Sequence, residues 1–220
     1  MKTILKALFL LIALSTAVPV FAQSDFEATK ARAEAGDADA QVMLGMMYAD
    51  GTGIVQNYQE AVRWYRLAAE QGFAQAQTFL GVMYAYGTGV AQNDQEAVMW
   101  YILAAEQGFA QAQTFLAMMY ANGKGVVQNY QEAVRWSILA AEQGYAQAQT
   151  FLGVLHEHGT GVAQNFKQAY IWYSVAAAQG HSIAAEARDR ARTRLLPEAL
   201  EQAQAQATRC FESNFKDCGE

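Results

Sequence analysis

Shifted against itself by 36 residues, the chain repeats. Gly36, Gly72, Gly108, Gly144 and Gly180 fall in one register, and Trp64, Trp100, Trp136 and Trp172, all 4 tryptophans of the protein, fall in another. Residues 36–179 thus divide into four units, and 14 of the 36 columns hold the same residue in every copy. A period of this length leaves few folds open. One unit cannot bury two apolar stripes by itself, so its neighbours must cover them. The predicted product is an all-α stacked array whose stability comes from contacts between adjacent units.

Each unit reads as two helices. In the first, Ala40, Leu44 and Met47 recur at spacings of four and three, which makes one apolar stripe, and Gly51 follows as a stop. The loop GTGIVQN, residues 51–57, closes on Asn57, an N-cap with Glu60 three residues on. The same box recurs as Asn93 with Glu96, Asn129 with Glu132 and Asn165 with Gln168. The second helix carries Ala61, Trp64, Ala68 and Ala69 and runs to Gly72. Small alanines let helix backbones approach closely, and the tryptophan fills the gap left beside them.

The chain then divides into a leader (1–22), an N-terminal capping helix (23–35), repeats at 36–71, 72–107, 108–143 and 144–179, and C-terminal capping helices with a cysteine-containing tail (180–220). Ser24 and Glu27 form the box expected to start the N-terminal cap. Ser182 to Leu195 takes the place of a fifth first helix, and Pro197 opens a last helix reaching about Phe211.

Composition narrows the function classes. Hydrophobic residues make up 53% of the chain, but no long apolar run follows residue 22, which argues against spanning helices. Only 16% of residues are charged, and glutamine fills the deficit, keeping the surface polar without charge. The net charge of −6 is opposite in sign to that of a general nucleic-acid binder. Lys2 and Lys6, the uncharged stretch from Ala7 to Val18, and Val20-Phe21-Ala22 together read as a cleavable secretory signal cut after Ala22. The expectation is an exported chain, periplasmic or secreted, with no membrane insertion after cleavage. In an oxidising compartment Cys210 and Cys218 are each other's obvious partner, as a structural staple of the tail.

The columns Ala38, Ala40, Gln41, Leu44 and Gly45, then Gly51, Gly53, Gln56 and Asn57, then Ala61, Trp64, Tyr65, Ala68, Ala69 and Gly72 resemble the Sel1-like repeat, a relative of the tetratricopeptide repeat. Ala117 and Ser137 depart from the pattern at the Gly45 and Tyr65 columns. The resemblance implies a right-handed α-solenoid with first helices on the concave side, acting as an adaptor that holds another protein. Some exported relatives are cysteine-rich and linked to β-lactams. Residues 36–180 here contain no cysteine, which sets the chain closer to the general adaptor branch. The alternatives left open are a binder or hydrolase directed at β-lactams or cell-wall muropeptides, and a secreted host-interaction factor.

No catalytic pattern stands against this reading. G-x-S-x-G, H-E-x-x-H and a Gly-rich phosphate loop are missing from the sequence. The two histidines of His156-Glu157-His158 point roughly 200° apart on a helix and do not readily share a metal. We expect no catalytic residue, metal or cofactor. The binding candidates lie on the first helices opposite the apolar stripe: Val42, Met46 and Asp50; Thr78, Val82 and Tyr86; Thr114, Met118 and Asn122; Thr150, Val154 and His158. This set varies between copies where packing columns do not. Its mixture of Met, Tyr, Thr and Val suits a protein or peptide partner held by a monomer.

Overall fold

The computed structural model describes residues 20–218, which form eleven α-helices with no strand among the described residues. They are α1 (Val20–Glu34), α2 (Ala38–Asp50), α3 (Tyr58–Glu70), α4 (Ala74–Tyr86), α5 (Asp94–Glu106), α6 (Ala110–Asn122), α7 (Tyr130–Ala141), α8 (Ala146–His158), α9 (Phe166–Ala178), α10 (Ser182–Arg192) and α11 (Pro197–Glu212). No helix among the described residues is long and apolar enough to cross a membrane.

Most of the expected leader, 1–19, lies outside the described residues. The expected cut after Ala22 falls within the first turn of α1, which begins ahead of the Ser24 expected to cap it. Nothing between Val20 and Gln23 stops a helix, so the turn continues back past that serine.

The helices gather into two compact units, one reaching to Gln92 and the other starting at Asn93. In the first, Phe26 and Ala33 of α1 close over Ala40, Leu44 and Trp64. The edge of Phe26 meets Tyr48 at 5.7 Å between ring centroids. In the second, Leu152, Leu155, Ile171, Trp172 and Tyr173 form the centre of a core that α10 and α11 cover with Ala187, Ala191 and Ala203. In both units most tertiary contact is between successive helices, as the repeat demands, and in the second α9 packs against α11 as well.

Helix ends follow the repeated punctuation. Gly51, Gly87, Gly123 and Gly159 all sit at φ between 63° and 73° and return their N–H to a carbonyl of the helix they end. That left-handed conformation is one an L side chain resists. A glutamine five residues on finishes each turn: Gln56, Gln92, Gln128 and Gln164 donate from Nε2 to the carbonyls of Ala49, Ala85, Ala121 and Glu157. Gly125 is constrained by space as well, since a Cβ there would lie 2.1 Å from the Asp94 carbonyl oxygen.

The four asparagine caps form, with half of each expected box. Asn57 Oδ1 accepts from the N–H of Gln59 and Glu60, Asn93 from Gln95 and Glu96, Asn129 from Glu132, and Asn165 from Gln168. The reciprocal bond from the acidic side chain is displaced by a tertiary one. The N–H of Asn57, Asn129 and Asn165 donates to the carbonyls of Tyr48, Tyr120 and His156 on the preceding helix. Glu60 and Glu132 turn instead to Arg63 and Arg135.

One glutamine column is not surface at all. Gln41, Gln77, Gln113 and Gln149 are buried, and each donates to a carbonyl near the end of the helix before it: Ala33, Ala69, Ala105 and Ala141. Gln71, Gln143 and Gln179 then donate to the side-chain oxygens of Gln41, Gln113 and Gln149. A neutral amide satisfies a helix-end carbonyl inside the core where a charge would be costly, which explains why Gln recurs in all four copies of both columns.

The two departures from the pattern belong together. A Cβ at Gly45 would lie 2.5 Å from the Tyr65 ring, and one at Gly153 would lie 2.5 Å from the Tyr173 ring. In the third repeat the equivalent pair is Ala117 and Ser137, both fully buried, with Ser137 Oγ turned to the Ala133 carbonyl. The small serine leaves room for the methyl group, so the two departures are coupled.

Candidate interaction surface

The candidates on the first helices separate into three rows, which the two compact units show independently. At the start of each helix Val42, Thr78, Thr114 and Thr150 are buried. Thr78, Thr114 and Thr150 each donate from Oγ1 to the carbonyl four residues back, at 2.8 Å, and Thr150 Oγ1 also lies 3.0 Å from His181 Nδ1. These four side chains are taken up by packing and by helix back-bonding, which leaves the exposed candidates further along each helix.

The middle row is Met46, which is exposed, with Val82, Met118 and Val154 half-buried. The last row, Asp50, Tyr86, Asn122 and His158, is exposed in every copy, and Tyr86 leaves 74% of its surface to solvent. Asn122 is tied back by Nδ2 to the Met118 carbonyl at 2.8 Å. This row is the single column of the repeat in which all four copies carry a different residue. Variation at the most exposed end of the helix, beside an unvarying glycine stop, is the opposite of what packing imposes.

The histidines of α8 divide as their spacing predicts. His158 is exposed at the helix end, while His156 is half-buried with Nδ1 enclosed and unpartnered by protein, and burial pushes its pKa down. Between them Glu157 accepts from the Tyr173 hydroxyl at 2.7 Å, and burial raises the Tyr173 phenol further from its ionised form. Among the described residues no group of three or more His, Cys, Asp or Glu side chains is placed to hold a metal ion. Phe79 and Phe115 pack on Tyr65 and Tyr101 at 5.1 and 5.3 Å between ring centroids. Of the C-terminal arginines, Arg188 binds Asp189, and Arg194 lies over the Phe166 ring.

Sequence reasoning missed a second feature. The second unit holds a cavity of about 670 Å³ between α7, α8, α9, α11 and the tail. The Sγ atoms of Cys210 and Cys218 are at disulfide distance, both residues are buried, and the tail they close folds back to form one cavity wall. Sequence signalled the pairing. That the tail would return onto α9 depends on the Gln168 amide donating to the Cys218 carbonyl, a contact across 50 residues.

Comparison with known proteins follows the same period. A family model described as Sel1 repeat matches four successive stretches, 38–73, 74–109, 110–145 and 146–181. Among solved structures, a protective antigen of uropathogenic Escherichia coli strains displaying an SLR fold is 31% identical with a TM-score of 0.82, covering 88% of this chain. This chain spans only 42% of that one. A Sel1 repeat protein from Oxalobacter formigenes is 33% identical with a TM-score of 0.71, covering 82% of this chain and 76% of its own. A search of curated proteins finds no match.

Proposed function

Since the chain belongs to the Sel1 repeat family, an all-helical class of α-solenoids that commonly serve as protein-interaction scaffolds, we propose that it is an exported scaffold holding a protein or peptide partner through the exposed positions of its first helices. The observation that carries this reading is the last row. Asp50, Tyr86, Asn122 and His158 share one place in the repeat, stand exposed, and differ in every copy. Met46, Val82, Met118 and Val154 flank them with apolar surface, and methionine adapts its shape to a partner. Export is supported by the leader-like residues 1–22 and by the cysteine pair at disulfide distance, which an oxidising compartment keeps joined.

The test treats each compact unit by itself. Met46→Ser with Tyr86→Ala in the first unit, and Asn122→Ala with His158→Ala in the second, remove exposed side chains without opening a core. Cross-linking in the native cell envelope, followed by mass spectrometry, is expected to lose the wild-type partner in at least one pair variant. Helicity and unfolding free energy should stay within about 0.5 kcal/mol per substitution, the usual range for surface changes. Undiminished capture in both variants would remove these positions from the binding surface.

A further inference from the structure

The cavity in the second unit has features of a small-molecule site that repeat packing does not require. Its volume, about 670 Å³, lies in the range of ligand pockets. Leu152, Val134 and Val162 give it an apolar lining, and two aromatic rings, Trp172 and Phe215, stand among them. His156 also lines it, with Nδ1 enclosed and without a protein partner. Burial favours the neutral ring, which offers one donor and one acceptor. Charges of both signs complete the lining: Glu142 at the end of α7, Arg209 on α11, and Lys216 and Asp217 on the tail. No ion pair among the described residues involves any of these four.

The wall formed by the tail is built with care. Asn214 and Phe215 both stand at positive φ, 56° and 69°, a conformation non-glycine residues adopt at a cost. The Phe215 ring fills the space above Gly144, where a Cβ would lie 2.5 Å from it. Gln168 and Gln206 donate to the Cys218 and Asp217 carbonyls, and the cysteine pair closes the segment.

We propose that this cavity binds a small zwitterionic aromatic compound, a free aromatic amino acid or a short peptide bearing one, with its ring between Trp172 and Phe215, a hydrogen-bonding group on His156, and its carboxylate and ammonium met by the unpaired charges. Aromatic rings prefer aromatic neighbours in offset or edge contact. A balanced set of unpaired charges favours a ligand carrying both signs over a simple anion or cation. The tail contributes Phe215, Lys216 and Asp217, so the site exists only while the cysteines are joined. This site is independent of the exposed row on the first helices.

The experiment follows the His156 ring and Trp172 indole resonances of the oxidised full chain by NMR, with L-tyrosine, the dipeptide Gly-Tyr and the uncharged N-acetyl-L-tyrosinamide as probes. L-Tyrosine or Gly-Tyr is expected to give a saturable shift with a dissociation constant of about 1 mM or tighter, and the uncharged amide to bind roughly tenfold more weakly. Tighter binding of the dipeptide identifies a peptide source, and binding of the amino acid alone identifies a free metabolite. His156→Leu, read at Trp172, should weaken binding about tenfold, and dithiothreitol should abolish it while far-UV circular dichroism is retained. Phe215→Ala serves as the second variant if His156→Leu does not fold. No saturable shift with either zwitterion up to about 2 mM, equal binding of the uncharged amide, or undiminished binding in the folded variant or the reduced protein would overturn the proposal.

Discussion

Gly153, the Ala117–Ser137 pair and His156 show how single residues are held by their repeat. Gly153 faces the buried Tyr173 ring at a distance no Cβ tolerates. Gly153→Ala is therefore expected to cost about 1–3 kcal/mol by overpacking, read as a lower urea midpoint with an unchanged slope. The third repeat supplies the reciprocal test. Ser137→Tyr should destabilise beside Ala117, and Ala117→Gly in the same chain should recover most of the loss, a coupling that independent sites would not show. His156 adds a pH dependence. Its pKa lies below the ordinary 6.5 because burial penalises the charged ring. Above 6.5 the ring is neutral in both states and contributes nothing. As pH falls below 6.5 the unfolded chain takes up the proton first, so stability declines until the folded pKa is passed. Thermal melts at pH values on either side of 6.5 should differ less for His156→Gln than for the wild type, and an equal difference would assign the slope to other groups.

At the scale of the helix, the caps and buried amides decide where elements start and how they join. Removing the Asn165 cap with Asn165→Ala should cost about 1 kcal/mol, and hydrogen exchange should locate the loss in the first turn of α9. Gln149→Leu removes the donor to the Ala141 carbonyl and the acceptor for Gln179. It takes one of two donors from the Ala141 carbonyl, which keeps the Gly144 N–H, and leaves the Gln179 amide without its acceptor, at a cost of about 1 kcal/mol despite adding apolar surface. A variant as stable as the wild type would show that the amide ladder is incidental. These elements were legible because their signals are local: the glycine stops, the asparagine caps and the alanine-tryptophan stripe each act within a turn or two. The buried glutamines were not, since a polar residue in a repeat reads as surface until the helix that receives its hydrogen bond is in place. The loss of the reciprocal capping bonds has the same origin, a tertiary carbonyl out-competing a local carboxylate.

For the molecule as a whole, the repeat separates two demands. Columns that never change, such as Gly51, Asn57 and Trp64 with their copies, close turns, start helices and fill the core. The column that always changes lies at the exposed ends of the first helices. Spacing alone put the candidates on the first helices but could not distinguish their buried starts, Val42, Thr78, Thr114 and Thr150, from their exposed ends, because that depends on the neighbouring helix each start packs against. The most direct test places a photo-activated cross-linking side chain at one position per molecule in the native cell envelope. Substitution at Asp50, Tyr86, Asn122 or His158 should give a discrete cross-linked partner from at least one site, whereas Val55 and Val127, loop residues with more than four-fifths of their surface exposed, should give none. Equal cross-linking from the loops, or none from the helix ends, would contradict the assignment of this row as the binding surface.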